Sequence, residues 1–362
     1  MSHSAPLPRR PSPRSLWIAG AVVCVLLVLG VWLMIYIITG KGRAPGSTDP
    51  AGNGTDTPAG TVTTSTAART LDGVLVESSV RSLRPWAMMI DNQIDARPQE
   101  GLSSASVVME APVEGGITRL LAVFDPTTTS TGIGPVRSAR PYFVDWAEGY
   151  KAVFAHVGGS PEALDRLARI PSSTVLNIDE MVKPAGFLRT SSRPAPHHVL
   201  TSGERFRSSL GSVTTSTVAF RSWRYTSATA PSSTTAEASS IRIPYGGSYS
   251  VRWTYDATLN AYRRSVAVKQ NSKEPIFATN VVVIKTDASI LDAAGRLKLR
   301  TTGSGEAIIY RDGKKFIGRW RRTPGEVIEF VGTDGVDLEL RAGSTWIQVT
   351  TDDRIFAGLD AS

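Results

Sequence analysis

The sequence contains one cysteine and four histidines in 362 residues. Cys24 lies inside an apolar run, so the chain can form neither an intrachain disulfide nor a thiolate metal cluster. His197 and His198 are adjacent and point to opposite sides of an extended segment, which prevents them from sharing one metal ion easily. A zinc site would therefore need carboxylate ligands from Asp91, Glu110 or Glu114. We predict no metal site, and the sequence indicates no particular cofactor.

The signatures of several enzyme classes are also missing. The serine hydrolase motif Gly-x-Ser-x-Gly is absent, and neither Ser138 nor Ser160 shows a sequence sign of activation. Gly158-Gly159 precedes a predicted helix, but the Gly-Lys-Ser/Thr that completes a P-loop does not follow. The sequence alone leaves open whether the protein is an enzyme.

One long hydrophobic run is present, Leu16–Ile38, with 23 residues and no charge. At 1.5 Å per residue this run is roughly 34 Å long, enough to cross a bilayer core of about 30 Å. Three arginines precede it and two basic residues follow closely, a slight positive-inside bias. We predict an uncleaved transmembrane signal anchor, a cytoplasmic tail at 1–15 and a disordered Ser/Thr/Gly/Pro stalk at 39–70.

The net charge of +8 comes from 40 basic against 32 acidic residues. An excess of this size suits an anionic cell-wall polymer or a lipid phosphate as partner. Because the anchor places the soluble domains outside the cell membrane, nucleic acid is not expected as a partner.

The soluble part divides into two regions that differ in their pattern of apolar and polar residues. In residues 71–213, short apolar runs alternate with helical stretches, which predicts an α/β (α+β) domain with helices in the gaps between strands. A low-complexity linker at 214–240 follows. Residues 241–362 alternate tightly and carry the hairpin signal Asp312-Gly313, which predicts a mostly antiparallel β domain.

Arginines and glycines are concentrated in two segments, VEGGITR and IGPVRSARPYF. Arg119, Arg137 and Arg140 offer forked donors for carboxylate or phosphate, and Gly115-Gly116 lets backbone amides approach a ligand. These features predict an anion site in the amino-terminal domain. The alternative is that the arginines form internal ion pairs with nearby carboxylates, namely Glu110, Glu114 and Asp145.

Two further segments supply candidates for the same site. His156 ends a strand, and Ser160 begins the next helix, where free amides attract anions. A lone histidine before a turn is more often structural than catalytic. A Pro-rich loop adds three more basic candidates, Arg189, Arg193 and His197.

Several motifs together resemble the YerB-like lipoprotein family, a family of two-domain envelope proteins of unknown function. In the amino-terminal region these are MIDN with ARPQEGL, VEGGITRLLAVF, IGPVRSARPYF, HVGGSPEA and RPAPHH; in the carboxy-terminal region they are TYDATLNAYRR, NVVV and GSTWIQV. Asp91 and Arg97 of the first motif join the candidate ligand-binding residues, which also include Glu110, Glu114 and Ser138. The chain departs from the family pattern at Ser106, where an acid is usual, and in its apolar run, where the family has a lipidated cysteine.

The resemblance implies an envelope protein with little defined chemistry, so the primary hypothesis is a module that binds an anionic envelope ligand. A looser similarity of pattern is to the LytR-CpsA-Psr glycopolymer ligases. It implies, as the alternative, a phosphotransferase or hydrolase that acts on a lipid-linked envelope glycopolymer, with Arg119, Arg137 and Arg140 neutralising a pyrophosphate.

Overall fold

The computed structural model describes residues 65–227, 236–267 and 272–360. The predicted cytoplasmic tail, the predicted membrane span and nearly all of the predicted stalk lie outside these residues. Within the described ranges, no helix combines the length and the apolar character needed to cross a membrane. The described residues all belong to one compact unit.

The described residues contain four α-helices and twenty-three strands, joined by turns and short 3-10 helices. The helices are α1 Pro141–Gly149, α2 Pro161–Arg169, α3 Gly203–Leu210 and α4 Asp353–Asp360. The strands are β1 Thr66–Ala68, β2 Leu75–Glu77, β3 Trp86–Asp91, β4 Val107–Pro112, β5 Thr118–Phe124, β6 Val153–His156, β7 Leu176–Asp179, β8 Leu188–Arg189, β9 Val199–Leu200, β10 Tyr225–Thr226, β11 Ala236–Glu237, β12 Ser240–Gly246, β13 Tyr249–Asp256, β14 Ala261–Val266, β15 Phe277–Ala278, β16 Asn280–Lys285, β17 Ala288–Ile290, β18 Leu297–Leu299, β19 Gly303–Arg311, β20 Lys314–Arg322, β21 Glu329–Gly332, β22 Leu340–Arg341 and β23 Thr345–Thr350.

Eleven strands form the central sheet, in the order β11-β20-β19-β16-β23-β4-β5-β3-β6-β7, with β21 paired to β20. The pairing of β23 with β4 is parallel and places Thr345 opposite Val107, so one sheet contains strands from both halves of the chain. Strands β3, β5 and β23 are buried along their whole length, and in β3 and β5 this burial explains why most of the sequence is an apolar run.

The predicted fold class was wrong. The sequence suggested a transmembrane helix, an α/β domain and a separate β domain, whereas the described chain is mostly β with few helices. Helices occur where capping signals exist, as at Ser160 before α2, but most other gaps between strands are closed by turns and 3-10 helices. The error arose because apolar runs identify strands, while the polar segments between them carry no comparable periodicity.

The two faces of the central sheet are covered by different elements. One face packs against α1 and α2, and the other packs against the four-stranded sheet β12-β13-β14-β15 and against α3. Because side chains alternate along a strand, neighbouring residues of β3, β4 and β5 belong to opposite faces. This alternation decides which candidate site residues can meet.

The predicted hairpin at Asp312-Gly313 is confirmed, since Arg311 pairs with Lys314 across it. Both turn residues have positive φ, 56° and 70°, as a type I′ turn requires.

Candidate functional site

Because side chains alternate along a strand, the candidate residues at the ends of β3, β4 and β5 form two clusters on opposite faces of the central sheet. Asp91 and Arg119 are cross-strand partners and share the face covered by α1. Asn92, Glu110 and Thr118 point to the opposite face, toward the four-stranded sheet. We call the first group, formed by Arg119, Arg137 and Arg140 with their partners, the guanidinium cluster, and the second the Glu110 network.

The guanidinium cluster is assembled by an irregular segment that runs beside β3 into α1. The backbone N–H of Asp91 donates to the carbonyl oxygen of Pro135, and the N–H of Arg137 donates to that of Met89, so this segment pairs alongside the last residues of β3. Arg137 thereby lies beside Asp91, and Arg140 becomes the residue that precedes α1.

Two of the three arginines have a carboxylate partner, and one does not. Arg140 forms a bidentate ion pair with Glu114: its Nε donates to Oε2 at 3.0 Å, and a terminal nitrogen donates to Oε1. The Nε of Arg137 lies 3.1 Å from Oδ2 of Asp91. Arg119 donates from a terminal nitrogen to the carbonyl oxygen of Ser138 at 2.9 Å. Among the described residues, no carboxylate lies within ion-pair distance of Arg119.

Arg119 therefore carries a buried charge that is poorly compensated. Its side chain is 4% exposed, and its Nε has no hydrogen-bond partner within the described part of the chain. Burial, followed by the repulsion of Arg140, lowers the pKa of Arg119 to about 10. The group still remains charged at neutral pH, because its pKa lies well above 7.

Asp91 connects the cluster to the Pro-rich loop. Its Oδ2 accepts a hydrogen bond from Nδ1 of His197 at 2.8 Å, and the same oxygen faces Arg137. Its Oδ1 accepts from the backbone N–H of Gln93. The structure thus brings Asp91, Arg137 and His197 together at the end of β3.

The Glu110 network lies between the central sheet and the four-stranded sheet. Oε1 of Glu110 accepts hydrogen bonds from Asn92, Thr118 and Tyr249, and Oε2 accepts from Arg264 at 2.7 Å and from Gln348 at 3.3 Å. The Glu110 and Arg264 side chains are both fully buried. The guanidinium carbon of Arg264 also lies 4.8 Å from the ring centre of Trp346.

Burial by itself would raise the pKa of Glu110, but the charge of Arg264 and the hydrogen bonds from Tyr249, Arg264 and Thr118 together lower it. Burial and the neighbouring Glu110 charge raise the pKa of Tyr249 to about 12. Glu110 is therefore ionised and Tyr249 neutral at neutral pH, so Glu110 and Arg264 form an internal ion pair rather than a free ligand site. Nε and one terminal nitrogen of Arg264 have no hydrogen-bond partner within the described part of the chain.

Sequence reasoning missed Arg264, Tyr249 and Gln348 as partners of Glu110. A carboxylate inside the apolar strand VVMEAP does signal that some cation must lie opposite it. Nothing in the sequence identifies Arg264 as that cation, because the two residues are 154 positions apart and meet only after the two sheets pack.

A pocket of about 250 Å³ opens beside this network. Arg97 lies at its wall with the guanidinium carbon 4.6 Å from the ring centre of Tyr249, and Ile94 and Ile117 add apolar surface. Arg97 also donates to the carbonyl oxygen of Asn92 at 2.8 Å. Arg97 thus belongs to this face and not to the guanidinium cluster.

The remaining candidates have structural partners elsewhere. Both ring nitrogens of the buried His156 face oxygens, those of Gly158 and Asn177, at 2.7 Å. Ser160 caps α2 by accepting from Ala163, and its own N–H donates to Ala139.

The outer arginines bind loops together rather than joining the cluster. Arg189 pairs with Glu180, and Arg193 donates to the carbonyl oxygens of Ala96 and Pro98 and pairs with Glu100. The carboxylate that was considered as a further partner, Asp145, binds Thr301 and Arg166 instead. Within the described ranges, no three His, Cys, Asp or Glu side chains are grouped as a metal site would require.

Comparison with known proteins gives consistent matches over both halves of the chain. Residues 71–216 match the amino-terminal domain, and residues 241–347 the carboxy-terminal domain, of the family described as "Protein of unknown function (DUF3048)". A relative from Bacillus subtilis (strain 168), described as "Putative lipoprotein YerB", is 29% identical over 295 residues, covering 78% of this chain and 86% of the relative. The crystal structure of the YerB protein from Bacillus subtilis superposes with a TM-score of 0.69 at 28% identity, covering 79% of this chain and 97% of that one.

Proposed function

Because this chain belongs to the YerB-like family, whose function is unknown, we propose a role from the site itself: it is a cell-envelope protein whose guanidinium cluster binds an anionic group. The observation that carries the proposal is the buried Arg119, which has no carboxylate within ion-pair distance among the described residues. A phosphate- or carboxylate-bearing envelope ligand would supply the missing charge.

The charges on this face of the sheet support the proposal. The three guanidinium groups of Arg119, Arg137 and Arg140 face two carboxylates, Asp91 and Glu114, which leaves one positive charge uncompensated. An uncompensated charge in a buried position costs several kcal/mol, so an anion that neutralises it binds with a corresponding gain.

The proposed location outside the cytoplasm rests on the relative from Bacillus subtilis, which is described as a lipoprotein. Envelope polymers and lipid headgroups both carry anionic groups of the kind that forked guanidinium donors bind.

We expect Arg119→Gln to weaken the binding of an inorganic oxyanion by about tenfold or more, because it removes one charge-assisted donor. The measurement is titration calorimetry of the detergent-purified full chain with sodium sulfate at a constant ionic strength set with sodium chloride. The matched control is Arg169→Gln, which removes an exposed guanidinium whose one carboxylate partner among the described residues is Asp165.

The control should bind sulfate as the unaltered protein does, since a surface pair of this kind contributes little. Equal sulfate affinity in Arg119→Gln and the unaltered protein would contradict the proposed site. Failure of the unaltered protein to bind sulfate at all would contradict the proposed function.

A further inference from the structure

Asp91 lies beside two basic side chains, and its Oδ2 faces an inner nitrogen of each. Its Oδ2 lies 2.8 Å from Nδ1 of His197 and 3.1 Å from Nε of Arg137. The side chain of His197 is 10% exposed and that of Arg137 is 27% exposed. Within the described part of the chain, Nε of Arg137 has no hydrogen-bond partner although it lies within ion-pair distance of Asp91. Neither Nε2 of His197 nor the terminal nitrogens of Arg137 form a hydrogen bond within these residues.

The contact with Asp91 also fixes which ring nitrogen of His197 carries a proton. A carboxylate only accepts hydrogen bonds, so Nδ1 must be the donor. In the neutral ring, Nε2 therefore presents a lone pair, which repels an anion, and protonation converts it into a donor. The contact with Asp91 fixes the ring so that Nε2, the nitrogen that would gain the proton, points away from Asp91.

Resting on the proposed function, we propose that the guanidinium cluster is specific for a dianionic tetrahedral oxyanion, the charge state of a terminal phosphate monoester, and that His197 takes up a proton at Nε2 when it binds. With a neutral His197, the cluster has one positive charge in excess of Asp91 and Glu114. With a protonated ring the excess is two, which matches a dianion and exceeds what a monoanion can neutralise.

Most charged groups around His197 pair with one another. On its own loop, Glu100 pairs with both Arg193 and Lys273, and the positive charge left over is on the half-exposed Lys273, where solvent screens it. Arg189 pairs with Glu180 and approaches His198 at 3.5 Å. From the central sheet, Asp91 contacts His197 directly, and Arg137 of the segment before α1 faces the same Asp91 oxygen.

The experiment uses sulfate and methyl sulfate, two tetrahedral oxyanions with charges of minus two and minus one that do not titrate between pH 6 and 8. Calorimetric titration of the detergent-purified full chain is run in buffers of different ionisation enthalpy. We expect uptake of roughly 0.5–1 proton per bound sulfate at pH 7 and an affinity about three- to tenfold weaker at pH 8 than at pH 6. Methyl sulfate should bind more weakly at both pH values.

His197→Gln should remove the proton uptake and the pH dependence while it retains binding through the arginines. His198→Gln, at the neighbouring position, is the control and should keep both properties. The buffer comparison on the unaltered protein provides the same test without any substitution. Sulfate binding without proton uptake, or with uptake that persists in His197→Gln, overturns this inference and leaves the proposed function standing; absence of sulfate binding overturns both.

Two further titrations distinguish the sources of a phosphate monoester. Glucose 1-phosphate represents a soluble or polymer-borne group, and dihexanoylphosphatidic acid represents a lipid headgroup. Tighter binding of either, with proton uptake, supports the site and identifies the source. Binding of neither, in a protein that takes up a proton with sulfate, overturns the assignment to phosphate monoesters.

Discussion

Arg264→Met is expected to lower the free energy of unfolding by about 3–5 kcal/mol, because it leaves the fully buried carboxylate of Glu110 without a countercharge. Asn92, Thr118, Tyr249 and Gln348 would still donate hydrogen bonds, but none of them carries a positive charge. The measurement is urea unfolding of the detergent-purified full chain, followed by tryptophan fluorescence.

The stability loss caused by Arg264→Met should change with pH in a defined direction. In the unaltered protein the pKa of Glu110 is lowered, so its contribution to stability is present above the ordinary pKa of glutamate and is lost as the pH falls through the lowered value. Without Arg264, burial becomes the dominant effect and raises the pKa of Glu110. The neutral acid is then favoured in the folded state, so the loss caused by Arg264→Met should be smaller at pH 5 than at pH 8.

The double variant Glu110→Gln/Arg264→Met serves as the control. It removes both charges, so it should be more stable than the sum of the two single losses implies. A loss below about 1 kcal/mol for Arg264→Met, or a loss that grows as the pH falls, would show that the pair does not hold the sheets together as described.

Trp346→Ala is expected to cost about 3–5 kcal/mol, because it empties a large volume at the centre of the molecule. Trp346 is buried in β23, the strand that connects the two halves of the central sheet, and its ring lies 5.3 Å from that of Trp253 in an edge-to-face arrangement. Such a pair contributes about 0.5–1.5 kcal/mol beyond the area that it buries.

The unfolding free energy of this variant is compared with that of Ile290→Ala, in which the removed side chain is exposed and the expected change is within about 0.5 kcal/mol. Equal effects of the two substitutions would contradict the central role of Trp346. Because Trp346 also contacts Arg264, the effects of Trp346→Ala and Arg264→Met should not add.

Much of the local structure followed from local signals. The start of α2 after Ser160 and the turn at Asp312-Gly313 were predicted from the residues at the helix start and from turn chemistry. The fold class was not, because helices were inferred in the gaps between strands where the chain forms mainly turns. The predicted division into domains at 71–213 and 241–362 remains a prediction, although strands from both ranges share one sheet.

The candidate site could be predicted only as a set of residue types. The sequence identified arginines that suit an anion and carboxylates near them in the motifs. It treated Asp91, Arg97, Glu110 and Arg119 as members of one site. Strand alternation places Arg119 on one face and Glu110 on the other, and only the register of β3, β4 and β5 shows which residues share a face.

The sequence by itself determined the family of this protein and the types of residue that surround its strand ends, since local motifs carry that information directly. The tertiary structure alone decided which charges are neutralised. Glu110 meets Arg264 across 154 residues, and Asp91 meets His197 across 106, while Arg119 is left without a carboxylate partner among the described residues. The physical reason is that ion pairing depends on distances of a few ångströms, which packing between distant segments sets.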